Sequence, residues 1–429
     1  MKRIVTIITI IMLLLSLSAC VSNNQDNIPI HVSDYFLNDF SYVESNDKPY
    51  SHNCINASVA LQYNEGNIFF WGGPVGQWGA TVCKLNPLTG IFSSVCIDPL
   101  CNHNTPDCSF FGLRAWFYVY DNKVFYKRSY TYTYRNKDGS VRSTLDVADS
   151  VYFDIADSKV SVLQPAIDKN TVEYLRQLYA DNYRYYYDYV YDESIDGYLF
   201  QMCRQDIESG DISVIGGENN LGEVLERFVF ILNDRIYFVD GKRLYSRNLD
   251  NTDEIVHCTG EFGEIVMSDG QNIYFELLTE NKKSVFCMTD MNDYSSAKVI
   301  IEDCTSWFLT ENYVYYIDGE SRNIGKSEVT GYGNDEIILR GNHIFRCDHD
   351  GANHHEIFEF DTAYRNYQLT NMIVVDNYIY GLYYTWNDSD NDGVYQDGDQ
   401  YISNSSVEGF SIIRIDVTDG SVYFIKAAS

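Results

Sequence analysis

Apolar and polar residues alternate over short stretches down most of the chain, and turn-forming residues break the alternation at regular intervals. Asn233-Asp234-Arg235-Ile236-Tyr237-Phe238 shows the unit: a polar turn, then an apolar-aromatic strand. A second turn leads into Arg243-Leu244-Tyr245-Ser246-Arg247-Asn248-Leu249-Asp250. Period-two alternation bounded by Asn, Asp and Gly marks half-buried strands joined by tight turns.

Seven such units can be followed from residue 59 onward. Their strands include Ile68–Trp71, Val124–Tyr126, Tyr198–Phe200, Ile236–Phe238, Ile273–Phe275, Val314–Tyr316 and Tyr378–Tyr380. At roughly 50 residues each they match four-stranded propeller blades with some long loops. A small antiparallel sheet cannot bury both of its faces alone, and a closed ring solves that problem for every sheet at once. The expected fold is therefore all-β, a single propeller of seven blades, with eight as the alternative. Ala57–Leu61 is expected to pair with Ser421–Ile425 and fasten the ring. One short inserted helix is expected over Asn170–Ala180, where Val172, Leu175 and Leu178 recur at helical spacing behind an Asn/Thr cap.

The first residues follow a different pattern. Lys2 and Arg3 precede an apolar run, Ile4–Leu15, that is short for a bilayer span. Leu17-Ser18-Ala19-Cys20 then resembles the lipobox of bacterial lipoproteins, which implies cleavage before Cys20 and diacylglyceryl modification of its sulfur. The organisation read from this is a signal peptide over 1–19, a lipidated Cys20 with a polar tether over 20–33, and the propeller over 34–429. Two acyl chains hold a protein stably on a membrane, here on its extracellular face. The chain carries 31 Lys+Arg against 61 Asp+Glu, and losing Lys2 and Arg3 makes the mature balance 29 − 61 = −32. So acidic a surface repels phosphate backbones, which removes nucleic acid as a partner.

Three stretches could carry chemistry. Cys96, Cys101, His103 and Cys108 lie close together, spaced C-x4-C-x-H-x4-C. Thiolates and imidazole suit a structural zinc, while an exported chain also suits a disulfide, and free thiols are the third reading. In the second, Asp388, Asp390 and Asp392 stand at alternate positions ahead of Gly393, with Asp399 at the twelfth. Side-chain oxygens there, with the Val394 carbonyl, resemble an EF-hand-type calcium loop without the flanking helices. The alternative is an acidic hairpin tip. Third, Tyr183, Tyr185 and Tyr187 share one strand face with Tyr189 and Tyr191. Exposed, they would stack on a sugar or an extended peptide; covered, they pack between blades. A weaker grouping, His343, Cys347 and His349 with His354 and His355 nearby, reads either as a metal site or as a blade corner.

Cys54 to Phe111 resembles the uncharacterised propeller lipoproteins of anaerobic Gram-positive bacteria. The residues that carry the likeness are Asn86-Pro87-Leu88-Thr89-Gly90, Cys96, Cys101-Asn102-His103 and Cys108-Ser109-Phe110-Phe111. It implies a propeller and surface anchoring and brings no catalytic residues.

No G-x-S-x-G, H-E-x-x-H or P-loop occurs. The expected function is a lipid-anchored propeller that binds a protein or glycan ligand, with no catalytic residue assigned. Calcium is the favoured cofactor, ahead of zinc. The competing function is a glycosidase or lyase with paired carboxylates in the central funnel. A third reading is a sensory or assembly subunit beside a membrane partner.

Overall fold

The computed structural model describes residues 47, 61–72, 81–96, 108–110, 113–135, 140–168, 177–192, 197–216, 219–220, 227–240, 242–279, 284–291, 297–325, 335–359, 367–387, 400–402 and 411–426. They form seven antiparallel sheets and no helix among the described residues. Blade 1 is β1 (Leu61–Asn64), β2 (Asn67–Gly72), β3 (Thr81–Leu85) and β4 (Phe92–Ser94). Blade 2 is β5 (Leu113–Tyr120), β6 (Lys123–Arg135), β7 (Val141–Asp154) and β8 (Lys159–Asp168). Blade 3 is β9 (Leu178–Ala180), β10 (Tyr183–Asp192), β11 (Gly197–Asp206) and β12 (Ile212–Val214), with β13 (Asn219–Asn220) also on β11. Blade 4 is β14 (Arg227–Leu232), β15 (Arg235–Val239), β16 (Arg243–Asn248) and β17 (Ile255–Thr259). Blade 5 is β18 (Glu261–Ser268), β19 (Asn272–Leu278), β20 (Ser284–Asp290) and β21 (Lys298–Ile301). Blade 6 is β22 (Ser306–Leu309), β23 (Val314–Gly325), β24 (Asp335–Cys347) and β25 (His355–Glu359). Blade 7 is β26 (Tyr367–Val375), β27 (Tyr378–Asn387), β29 (Ser411–Asp416) and β30 (Val422–Lys426), with β28 (Gln400–Ile402) on β27. The chain is a seven-bladed β-propeller.

Blade 4 shows why the sheets close into a ring. Along β15, Ile236 and Phe238 pack with Tyr185, Tyr187 and Met202 of blade 3. The alternate residues Tyr237 and Val239 pack with Val266, Ile273 and Phe275 of blade 5. Both faces of one strand are buried, so the period-two pattern that makes a strand also demands two neighbours. A register shift between Phe228 and Phe230 lets Val229 and Phe230 both serve the blade 5 side.

Equivalent clusters join blades 1 and 2, 2 and 3, and 5 and 6. The last junction unites Leu61, Ile68 and Phe70 of blade 1 with Ile373, Tyr378 and Tyr380 of blade 7, and Phe308 of blade 6 packs against it. The expected strand exchange is absent among the described residues. β1 pairs with β2 and β30 with β29, each inside its own blade. Among the described residues, apolar side chains close the ring; residues 57–60 of the expected strand lie outside that set. Leu61 and Phe70 are cross-strand partners within blade 1.

Turn chemistry repeats from blade to blade. The hairpins at Glu65-Gly66, Asp121-Asn122, Asp181-Asn182 and Asn233-Asp234 all place both central residues at positive φ, the two-residue turn that suits a right-twisted hairpin. Between third and fourth strands, Asn86 Oδ1 accepts the Leu88 and Thr89 N–H groups, and Asp206 Oδ1 those of Glu208 and Ser209. Gly90, Gly210 and Gly420 then take positive φ and return their N–H to the corner carbonyl. The two kinds of turn share one rim, where Ile155, Ile207 and Val417 N–H groups donate to the Asn122, Asn182 and Asn377 carbonyls.

The inserted helix fails where it can be checked. Leu178–Ala180 is strand β9. Leu178 and Ala180 face blade 4, while Tyr179 faces blade 2, an alternation that helical spacing cannot supply. Residues 170–176 lie outside the described set.

If side-chain packing alone closes the ring, Phe70→Ala should cost about 3–5 kcal/mol in urea unfolding. Val214→Ser, on the exposed strand β12, should change stability by less than about 0.5 kcal/mol. Equal effects from the two would contradict this account of closure.

Candidate functional site

First strands of successive blades lie beside one another and line the centre of the ring. Gln62 shows the contact directly. Its Nε2 donates to the Phe117 carbonyl at 2.7 Å, and its Oε1 accepts the Val119 N–H at 2.8 Å. The amide thus stands in for a peptide group between β1 and β5. The seven first strands together carry two carboxylates, Glu261 and Glu264, both on β18. A pair on one strand does not face itself across a channel.

The rims differ. The rim of first and third turns is made of short, internally bonded corners. Its carboxylates are largely occupied. Asp269 takes the Gln271 and Asn272 N–H groups at 2.8 and 2.6 Å and the Tyr274 hydroxyl at 2.7 Å. Burial pushes its carboxyl up, but these bonds outweigh burial and hold it below the ordinary range. Asp269 also lies 3.6 Å from His349 Nδ1, whose Nε2 donates to the Thr310 carbonyl, so blades 5 and 6 are pinned together here. Asp47, on the segment before blade 1, accepts the Tyr315 hydroxyl at 2.6 Å and the Asn312 side-chain amide at 3.2 Å.

The opposite rim is where second and third strands are joined, and one strand blade is joined to the next. The expected calcium loop belongs there. Asp388, Asp390, Asp392, Val394 and Asp399 lie outside the described residues, but their frame does not. Asn387 of β27 and Gln400 of β28 are paired across the loop, so the twelve residues 388–399 leave and re-enter one hairpin.

Cys96 and Cys108 also belong to this rim, on the connection from blade 1 to blade 2. Both are buried thiols with sulfurs 4.0 Å apart. Cys101 and His103 lie outside the described residues. Among the described residues no group of three or more His, Cys, Asp or Glu is placed to hold a metal.

The Tyr face takes the covered reading, and ligand stacking by Tyr183, Tyr185 and Tyr187 is set aside. Tyr185 and Tyr187 are 2% and 8% exposed, and Tyr187 stacks on Phe228 of blade 4 at 4.7 Å between ring centres. Tyr183 is half-buried against the same cluster, with the Arg204 guanidinium 4.7 Å over its ring. A face turned toward the neighbouring blade cannot stack on a ligand. The weaker histidine grouping disperses as well: His343 Nδ1 lies 3.3 Å from Glu356, His354 bonds Tyr316, and Cys347 is buried in the cluster between blades 5 and 6.

Two buried polar groups escaped the sequence. Arg184 interrupts the Tyr run, on the strand face opposite Tyr183, Tyr185 and Tyr187, yet is 1% exposed, donating to Gln177, Gln205 and Ser150 of blade 2 and lying 4.0 Å over the Tyr186 ring. Burial pulls its pKa down. In blade 4, His257 Nε2 is 2.8 Å from Ser246 Oγ, which also accepts Arg235 Nε at 2.9 Å. The Ser–His pair resembles a nucleophile with its base, but Ser246 is 0% and His257 2% exposed, so no substrate reaches it. Neither network has a linear motif, because its members come from separate strands.

No protein-family model matches the chain, and no curated protein matches it. Among solved structures it is similar to an oligogalacturonate lyase from Vibrio parahaemolyticus, with 10% identity, 78% of this chain and 86% of that chain covered, and a TM-score of 0.44. It is also similar to the β-propeller domain of the Trilobed protease from Pyrococcus furiosus, at 10% identity over 86% and 96% of the two chains, TM-score 0.46. A puromycin-hydrolyzing peptidase from Mycobacterium tuberculosis matches at 11% identity over 88% of this chain and 56% of that one, TM-score 0.44. The ring is read from strand pairing itself, and these likenesses add nothing to it.

His257 should make the fold acid-sensitive. Burial, and then the Arg235 charge, lower its pKa from 6.5 to about 4. The unfolded chain binds the proton first, so the contribution of His257 is whole above pH 6.5, shrinks as pH falls, and is gone below about pH 4. At 1.36 kcal/mol per pH unit the loss is at most about 3 kcal/mol. His257→Gln should flatten the fall of the urea midpoint across that window, and an unchanged slope would assign the effect to another group.

Proposed function

We infer that this chain is an acyl-anchored β-propeller on the outer face of a bacterial membrane, binding a protein or glycan ligand on the rim opposite its tight turns. One observation favours binding over catalysis: among the described residues, the strands around the centre supply two carboxylates, and both belong to β18. A glycosidase or lyase needs two acids facing each other across a bound sugar. The tight-turn rim has many of its polar groups committed to its own corners, which favours recognition by the connections on the other rim.

Calcium would order one of those connections. Asp388, Asp390, Asp392 and Asp399 supply carboxylate oxygens and Val394 its carbonyl, on a loop held at its base by the Asn387–Gln400 pair. Hard oxygen donors suit calcium, whereas zinc is confined to the alternative reading of Cys96, Cys101, His103 and Cys108. Cys20 is the anchor, and the strongly acidic mature surface keeps nucleic acid away.

In a panel of immobilised glycans and cell-surface proteins, the purified chain should be retained without releasing product. Release of sugar fragments that stops in a Glu261→Gln, Glu264→Gln double variant would overturn the binding reading. Calorimetry should detect calcium below millimolar concentration in the intact chain and lose the signal in Asp390→Ala; no heat in either protein would remove the ion. Cys20→Ala should abolish incorporation of labelled palmitate and release the protein from the membrane fraction, and continued labelling would disprove the anchor.

A further inference from the structure

The two ends of the connection between blades 1 and 2 meet at sulfur. Cys96 follows β4 and Cys108 precedes β5, and their Sγ atoms stand 4.0 Å apart across a sequence separation of 12. Both side chains are buried in the cluster that joins the two blades, with Phe110, Phe117, Tyr126 and Phe153. Each is fixed by its own side of the connection. Cys96 N–H donates to Ser94 Oγ at 3.0 Å, Phe110 N–H donates to Cys108 Sγ at 3.3 Å, and the Tyr126 hydroxyl donates to the Ser109 carbonyl. The approach of the sulfurs thus has support from both blades; residues 97–107 lie outside the described set.

We propose that Cys96 and Cys108 form a disulfide, a pairing that spacing leaves open among Cys96, Cys101 and Cys108. Rotation of the two side chains has to close about 2 Å to reach the S–S bonding distance of about 2.05 Å. The oxidant is a disulfide of a thiol carrier. One cysteine, as thiolate, attacks a carrier sulfur and expels the other as a thiolate, forming a mixed disulfide. The second cysteine, also deprotonated, attacks the protein sulfur of that mixed disulfide and releases the second carrier thiolate. Two electrons pass to the carrier, which leaves as two thiols holding the two protons. The product staples the junction between blades 1 and 2 from within its apolar cluster. It constrains the unfolded chain and ties together the rim to which ligand recognition is assigned.

In the cell the bond rests on the exported address for its oxidant, but its test need not. The full chain is refolded with a mixture of reduced glutathione and glutathione disulfide, alkylated, and mapped by mass spectrometry without reduction. The expected result is a cross-linked peptide pair, Cys96 to Cys108, two hydrogens lighter than the reduced pair, which survives in Cys101→Ala. Reducing it should lower the melting temperature by about 3 °C. Alkylation of both sulfurs after refolding overturns the proposal, as does a bond from either to Cys101. Stoichiometric zinc that protects both thiols until a chelator removes it overturns it too. A pair that stays reduced in vitro leaves palmitate labelling at Cys20 untouched, so failure of the bond and failure of the membrane address are read separately.

Discussion

Every sheet in this molecule has two greasy faces and can hide neither by itself. Blade 4 makes the constraint concrete: Ile236 and Phe238 need blade 3, and Tyr237 and Val239 need blade 5. When each member of a series requires a neighbour on both sides, an open row leaves two faces bare and a circle leaves none. The outer strands obey the opposite rule. Val162, Ile212, Val214, Val256 and Val299 are each about half exposed, because the fourth strand has nothing beyond it. Apart from the ten-residue β8 these outer strands are three to five residues long, which limits how far they can template another chain.

Polarity is distributed as unevenly as apolarity is distributed evenly. On the tight-turn rim, a recurring corner uses an Asx side chain to replace the hydrogen bonds that the backbone gives up on turning. Asp206, Asp269 and Asp416 spend their oxygens this way, so much of the chain's acidity is architectural and carries no signal of a ligand. The rim that remains holds the paired frame around 388–399 and the thiol pair at the start of blade 2. Recognition by loops on a rigid scaffold is the general solution for such rings.

Much of the fold was legible because its signals are local. The seven strand–turn units, the positive-φ hairpins at Asp181-Asn182 and Asn233-Asp234, and the Asn86 to Gly90 corner depend on a few adjacent residues. What was not legible depends on distance. Leu178 satisfied a helical spacing and a strand alternation alike, and only the partners of Tyr179 decide between them. Tyr185 could be read as exposed or covered, because nothing in a single strand says that Phe228 and Phe238 will cover its face. Arg184 reads as a surface cation until Gln177, just before β9, converges on it with Gln205 and Ser150 from two further strands. The calcium loop and the cysteine loop were visible as compositions, and the structure adds their frames: a strand pair for the first, a 4.0 Å sulfur approach for the second.

The seam between the first and last blades has a mechanical side. Leu61, Phe70, Tyr378 and Tyr380 hold it through side-chain contact, with no backbone ladder crossing it among the described residues. Dispersion contacts slip over short distances, whereas a ladder loaded in shear must break several bonds together. A tug applied at the two ends of the chain would therefore part the circle at this joint first and then unzip it blade by blade. A load spread across the rim would meet all seven junctions at once.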